Sequence, residues 1–217
     1  MSTRLIVFDL DGTLIDSRRD LTDSANAVLV AYGADPLSEA VIGRMVGEGA
    51  ATLIARAFAA SEREQPPDAL DRFLAIYDQR LLRHTHPYPK MPEVLADLQT
   101  RARLAVLTNK PLRATRRILA GLDLARYFSD DDVVGGDGPF PRKPNPAGLR
   151  HLIASAATTA DATVLVGDSL IDWRTAQNGG VTLCLARYGF GAEGFPVDQL
   201  IDGEMIVDQP DGLRGVL

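Results

Sequence analysis

A chain of 217 residues, 46% apolar and 24% charged, holds enough hydrophobic material for a sizeable core in one large or two small domains. Its net charge of −6 argues against nucleic acid and anionic membrane as partners, and its single cysteine, Cys184, rules out an internal disulfide and fits a packed core position. No apolar run could span a bilayer and no signal-peptide layout opens the chain, so a soluble, cytoplasmic protein is expected.

Leu5-Ile6-Val7-Phe8 reads as a buried strand that runs directly into Asp9-Leu10-Asp11-Gly12-Thr13. On an extended chain Asp9 and Asp11 project to one side and Leu10 to the other, and Asp11-Gly12 signals a turn. Residues 16–20 form a polar, hinge-like stretch. The period then changes: Leu21, Ala25, Val28, Leu29 and Tyr32 recur at helical spacing, with Gly33 as a stop. A short helix is expected over 37–42, a glycine-punctuated loop over 43–49, a helix over 50–60, a break at Pro66-Pro67 and a helix over 70–81 that ends near His84. About 70 residues, nearly all helical, thus separate the first strand from Tyr88, far more than an ordinary connection. They read as an inserted helical unit.

From Pro87 helices and strands alternate. Helices are expected over 92–99, 112–122, to Ile153 and over 170–178, and strands over 104–107, 132–134, 163–166 and 181–185, with a last edge strand at 205–207. That alternation implies an α/β fold with a Rossmann-like parallel sheet and right-handed crossovers. All strands of such a sheet finish at one edge, so Asp9 and Asp11, Thr108 and Asn109, and Asp168 and Ser169 should converge there, with Lys143 arriving from a loop before a helix.

Electrostatics states what that set needs. Two carboxylates about 4 Å apart repel by roughly 4 kcal/mol at an effective dielectric near 20. Asp9, Asp11, Asp168 and Asp172 therefore call for a divalent cation. Oxygen-only donors and the lack of a His/Cys cluster favour Mg²⁺ over zinc. Lys143, Thr108 and Asn109 supply a cationic, hydrogen-bonding half-site that suits a phosphoryl group.

Asp9-Leu10-Asp11-Gly12-Thr13-Leu14-Ile15-Asp16-Ser17 resembles the first motif of haloacid dehalogenase-superfamily phosphatases. Thr108-Asn109-Lys110 resembles the second, Lys143-Pro144-Asn145-Pro146 the third, and Gly167-Asp168-Ser169 with Asp172 the fourth. The resemblance implies a core of residues 1–16 and 87–217 and a helical cap of 17–86 that closes over it. It implies Asp9 as nucleophile through an aspartyl-phosphate and Asp11 as general acid and base. Mg²⁺ would be held by Asp9, the Asp11 backbone carbonyl and Asp168, with Asp172 in support. Thr108, Asn109 and Lys143 would bind the phosphoryl oxygens.

Val46-Gly47-Glu48-Gly49-Ala50, Tyr88-Pro89, Thr108-Asn109-Lys110-Pro111 and Val133-Val134-Gly135-Gly136-Asp137 bring the chain closer in resemblance to the phosphoglycolate phosphatases. That likeness implies a small anionic phosphate ester, 2-phosphoglycolate by first preference, as substrate and places Gly47, Glu48 and Gly49 on the cap's substrate-facing loop. Trp173, Gly179-Gly180 and Arg101-Ala102-Arg103 depart from the family pattern, at positions that touch packing more than chemistry. Other readings remain: a phosphatase for a different metabolite, a phosphosugar mutase, a metal-free dehalogenase, or a regulatory module that retained the fold. A phosphonatase would need a cap amine, and no lysine lies between Leu21 and Leu82. Monomer and homodimer are both open.

Lys110 faces either the cap and substrate or solvent. Residues 188–191 either border the site or form a turn. Arg18 and Arg19, at the hinge, are candidates for a substrate carboxylate. Arg113, Arg116 and Arg117 read as a solvated helix face, His84 and His86 as surface, His151 as structural, and Trp173 as packed on a neighbouring helix.

Overall fold

The computed structural model describes residues 4–217. Its centre is a six-stranded parallel sheet in the order β5-β4-β1-β6-β7-β8, built from β1 (Leu5–Phe8), β4 (Arg103–Leu107), β5 (Val133–Val134), β6 (Thr163–Gly167), β7 (Thr182–Ala186) and β8 (Met205–Val207). β1 pairs in register with β4 on one side, Ile6 opposite Leu104, and with β6 on the other, Ile6 opposite Val164. From β1 the chain builds outward to β5, then crosses back to lay β6 on the opposite flank. That reversal opens a crevice at the carboxyl ends of β1, β4 and β6, where open α/β sheets bind ligands.

Strand alternation divides the core. Ile6 and Phe8 face one layer, shared with α5 (Met91–Leu98), α6 (Leu112–Gly121) and the cap, whereas Leu5 and Val7 face the layer of α7 (Ala147–Ser155) and α8 (Leu170–Gly179). Strands covered on both faces need no polar alternation, which is why their sequences read as continuous apolar runs. A terminal helix, α9 (Leu213–Val216), packs on α5.

The inserted unit holds four helices: α1 (Arg18–Ala31), α2 (Glu39–Gly43), α3 (Ala50–Ala60) and α4 (Ala69–Asp78). They bury Leu21, Val28, Ile54, Phe58 and Phe73 against one another, with Phe73 and Tyr77 stacked at 5.6 Å. Two short strands, β2 (Ile15–Asp16) and β3 (His86–Pro87), pair antiparallel where the chain leaves and rejoins the core. Asp20 ties the same stem: its Oδ2 accepts from the His84 and Thr85 amides and from the Thr85 hydroxyl at 2.8–2.9 Å. The stretch 16–20 is therefore no loose hinge. Helix α1 begins at Arg18, and α4 stops at Asp78, short of the expected end near His84. Among the described residues no helix is long and apolar enough to cross a membrane.

Candidate active site

Asp9 follows β1 directly, and its amide donates to the Val166 carbonyl at 2.9 Å, one step beyond the strand. Asp168 follows β6, Asp172 lies in the first turn of α8, and Lys143 comes from the loop before α7. All four are buried. Lys143 Nζ stands 2.8 Å from Asp9 Oδ1 and 2.6 Å from Asp172 Oδ1. Oxygens of Asp9, Asp168 and Asp172 lie within 4.8 Å of one another. Asp172 is further fixed by a capping box with Ser169, whose hydroxyl donates to its Oδ2 at 2.6 Å.

Three carboxylates and one ammonium leave two negative charges unmatched when all are ionised. Burial first, then Asp172 and Asp11, pushes the Asp9 pKa up to about 6 against the pull of Lys143. Burial with Asp172 and Asp9 holds Asp168 well above the usual carboxylate range. Burial opposes the charge of Lys143, yet Asp172 and Asp9 more than restore it, and its pKa is raised. Among the described residues, the Lys143 ammonium is the one donor group beside Asp9 Oδ1. A buried oxygen with so little donor contact, within a crowded, all-oxygen acid group, fits a divalent cation such as Mg²⁺.

Glycines shape the cradle. A Cβ on Gly12 would sit 1.9 Å from Asp168 Oδ2, and the residue's φ of +87° is itself a glycine conformation. A Cβ on Gly189 would meet the Gly12 carbonyl at 2.2 Å and Asp168 Cβ at 2.3 Å, and the Gly191 amide donates to Asp168 Oδ2 at 2.7 Å. The loop after β7 therefore borders the site, and Tyr188 anchors it by donating to the Thr13 carbonyl at 2.9 Å.

Asp11 points elsewhere. Its carboxylate accepts from Lys110 Nζ at 2.8 and 2.9 Å and from the Ser17 hydroxyl at 2.5 Å, and it stands outside the three-acid group. Lys110 is buried, with its ammonium 4.7 Å from the centroid of the Tyr77 ring in the cap. Burial opposes its charge, but Asp11 and Tyr77 outweigh burial and raise its pKa.

Thr108 follows β4 and is buried, its hydroxyl accepting from the Lys110 amide at 3.2 Å. The Asn109 side chain is fully engaged: Oδ1 accepts from the Lys143 amide at 2.8 Å, while Nδ2 donates to the Lys143 carbonyl at 3.0 Å and to the cap's Gly47 carbonyl at 2.9 Å. Above these groups lies a cavity of about 750 Å³ between core and cap. Asp9, Asp11, Thr108, Asn109 and Lys110 floor it. Leu21, Leu53, Phe73 and Tyr77 wall it from the cap, and Arg113 and Arg142 line it from the core.

A family model for haloacid dehalogenase-like hydrolases matches residues 6–186. The chain belongs to the haloacid dehalogenase-like hydrolases. A curated phosphoglycolate phosphatase from Rhodospirillum rubrum is 44% identical over 199 residues, covering 88% of this chain and 82% of the relative. One from Caulobacter vibrioides is 35% identical over 200 residues, covering 90% and 83%. Among solved structures, a predicted phosphoglycolate phosphatase from Haemophilus somnus superposes with a TM-score of 0.89 at 29% identity, covering 100% of this chain and 98% of that one.

In this hydrolase the fold brings Asp9, Asp168, Asp172 and Lys143 together, with Asp11, Thr108, Asn109 and Lys110 beside them. Gly47 and Gly49 line the cavity; Glu48 does not, and pairs with Arg56 inside the cap. Arg18 is spent on Asp16 at 2.5 Å and, with Arg19, lines a separate pocket of about 260 Å³ rather than the hydrolase site. The arginines of α6 divide: Arg117 reaches across to Asp78 of the cap, whereas Arg113 faces the cavity. His84 and His86 are exposed, and His151 stacks on Phe140 at 4.7 Å. Trp173 packs on Phe195 at 5.6 Å between ring centroids and donates to Glu204 at 2.9 Å, both in the stretch before β8, and shares a buried cluster with Leu149 and Leu152 of α7. Sequence reasoning missed Tyr77 and Arg142 as cavity residues and Ser17 as a partner of Asp11; it left 188–191 open, and Gly189 and Gly191 lie against Asp168. Tyr77 looked like any apolar helix position; the Gly-x-Gly after a strand end was the available signal for the loop.

Proposed function

We propose that the protein is a Mg²⁺-dependent phosphomonoesterase acting through an aspartyl-phosphate, with 2-phosphoglycolate as its first substrate. The observation that carries this reading is the meeting of Asp9, Asp168, Asp172 and Lys143 in one buried cluster at the switch point, with Asp11 beside it in the cavity between core and cap. Curated relatives named phosphoglycolate phosphatase, at up to 44% identity, support the substrate.

Asp9 Oδ attacks phosphorus and the ester oxygen departs, taking a proton from Asp11. Asp11 then receives a proton from the water that attacks the phosphorus of the aspartyl-phosphate. Phosphate leaves and the Asp9 carboxylate is restored. Ser17 and Lys110 fix the Asp11 carboxyl where both transfers need it. Lys143 and Thr108 receive the phosphoryl oxygens. Asn109 acts through Lys143, because its amide pins both backbone groups of that residue. Asp9, Asp168 and the Asp11 carbonyl would hold Mg²⁺, with Asp172 in support. When bound, the ion neutralises the acids and the phosphoryl charge. The cap excludes water from the intermediate. This reading divides the chain into a core of 1–16 and 87–217 and a cap of 17–86.

Phosphate release across a panel of esters tests it. 2-Phosphoglycolate should give the highest kcat/KM, and Asp9→Asn should abolish turnover of every ester. A flat panel would revive the regulatory-module reading, and activity retained by Asp9→Asn would remove the nucleophile.

A further inference from the structure

The loop after β7 touches the acid cluster on one side and the cap on the other. On the core side the Gly191 amide donates to Asp168 Oδ2 at 2.7 Å, and Asp168 Oδ1 accepts from the Thr13 hydroxyl at 3.4 Å. On the cap side the ring of Phe190, only 8% exposed, meets Arg18 at the start of α1, whose Cζ stands 5.5 Å from the ring centroid. Gly43 of α2 closes over that pair: a Cβ there would sit 3.5 Å from Arg18 Cδ and 3.9 Å from Phe190 Cδ2. Further along the loop Glu193 pairs with Arg44 of the cap at 3.2 Å. That ion pair is half-exposed and worth little by itself, so the buried ring is the firmer link. Phe190 is also the one large side chain between Tyr188 and Glu193. Its neighbours are Gly189 and Gly191, which approach Asp168 with backbone alone.

We propose that Phe190 is a positioning residue for Asp168: the cap grips its ring, the ring holds the Gly191 amide against Asp168 Oδ2, and residues 190–193 thereby couple the cap to the metal-binding acids. An amide donor on Oδ2 fixes the rotation of the carboxylate and favours its ionised form, and a metal ligand needs both. Without the ring contact the stretch from Gly189 to Ala192 has no side chain that reaches the cap, and the amide is free to drift from its acceptor. The coupling is reciprocal. A cap that seats Phe190 improves the metal site, and an ion on Asp168 favours the seated cap by the same factor.

The proposal rests on the metal-dependent reading above, and its test is separable from it. Mg²⁺ is titrated by calorimetry into the substrate-free wild type, Phe190→Ala, Arg18→Ala and the double variant. Phe190→Ala should weaken Mg²⁺ binding about tenfold, the usual effect of removing an outer partner of a metal ligand. Arg18→Ala should weaken it about threefold, the worth of one cation–π contact. The double variant should bind no more weakly than Phe190→Ala alone, because Arg18 acts through the ring. Loss of the Asp16 partner of Arg18 is common to both legs of this cycle and cancels. A ring that served only local packing would leave the Arg18 effect intact in the Phe190→Ala background. Wild-type affinity in Phe190→Ala, no effect of Arg18→Ala, or additive losses in the double variant overturn the proposal and leave the metal site standing. A wild type that binds no Mg²⁺ refutes the metal reading and the proposal with it. Phe190→Leu, which keeps an apolar side chain without a ring face, replaces Phe190→Ala in the same cycle if the alanine variant does not fold. It should cost about threefold, and wild-type affinity there overturns the proposal equally.

Discussion

Replacing the proposed nucleophile should stabilise the metal-free protein. The Asp9 pKa is raised from an ordinary 3.8 to about 6, chiefly by burial. A group raised in the folded state favours folding below its unfolded pKa, and that contribution is lost as pH rises through the folded value. A rise of that order corresponds to roughly 3 kcal/mol lost between pH 4 and pH 7. Asp168, also raised, acts in the same direction. Asp9→Asn removes the ionisation while Lys143 keeps Asp172 at 2.6 Å. In chelator at pH 8 the variant should be more stable by about 3 kcal/mol, or about 6–12 °C in Tm for a chain of this size. The gap should close by pH 4 and narrow when Mg²⁺ is added, because the ion rescues only the wild type. Thermal melts at the two pH values, with and without chelator, provide the assay. A variant no more stable than wild type at pH 8 in chelator would refute the burial argument.

Chelation should abolish phosphatase activity and Mg²⁺ should restore it; full activity in chelator, read by phosphate release, would remove the metal from the account. Gly12→Ala forces a side chain to φ +87° and to 1.9 Å from Asp168 Oδ2. It should cost about 2 kcal/mol or more and reduce kcat at least about a hundredfold, and wild-type kinetics would dismiss the glycine cradle. Asp20→Ala strips one acceptor from three donors at the cap stem. Urea unfolding should show a loss of about 3 kcal/mol, and a loss below about 0.5 kcal/mol would show that the stem is held by other contacts.

The central strands were legible because β1, β4 and β6 are short apolar runs followed at once by a polar residue of the site, Asp9, Thr108 and Asp168. Leu5 to Phe8 ending in Asp9, and Thr163 to Gly167 ending in Asp168, carried both the fold and the chemistry. Helix α3 matched its expected limits because an alanine-rich stretch follows Gly49 without competing signals. β2 and β3 were invisible: two residues each cannot show a period of two, and their pairing joins positions 70 apart. Helix α1 started early because Arg18, Arg19 and Asp20 read as a polar hinge, whereas Asp20 is buried to serve the stem. The Tyr77 and Lys110 contact joins cap to core across the insert, and no spacing rule links residues that meet only when a cap closes. Asn109 shows the converse: the motif identified the residue, but its amide is committed to Lys143 and Gly47, contacts that exist only in the folded chain.

The account centres on a covalent intermediate at Asp9. Acid-quenching the enzyme during turnover of 2-phosphoglycolate with Mg²⁺, followed by peptide mass spectrometry, reads it directly. One phosphoryl group on the peptide carrying Asp9, absent from Asp9→Asn, is the predicted result. Sustained turnover with no phosphorylated peptide, or with the phosphoryl group on another residue, would contradict it.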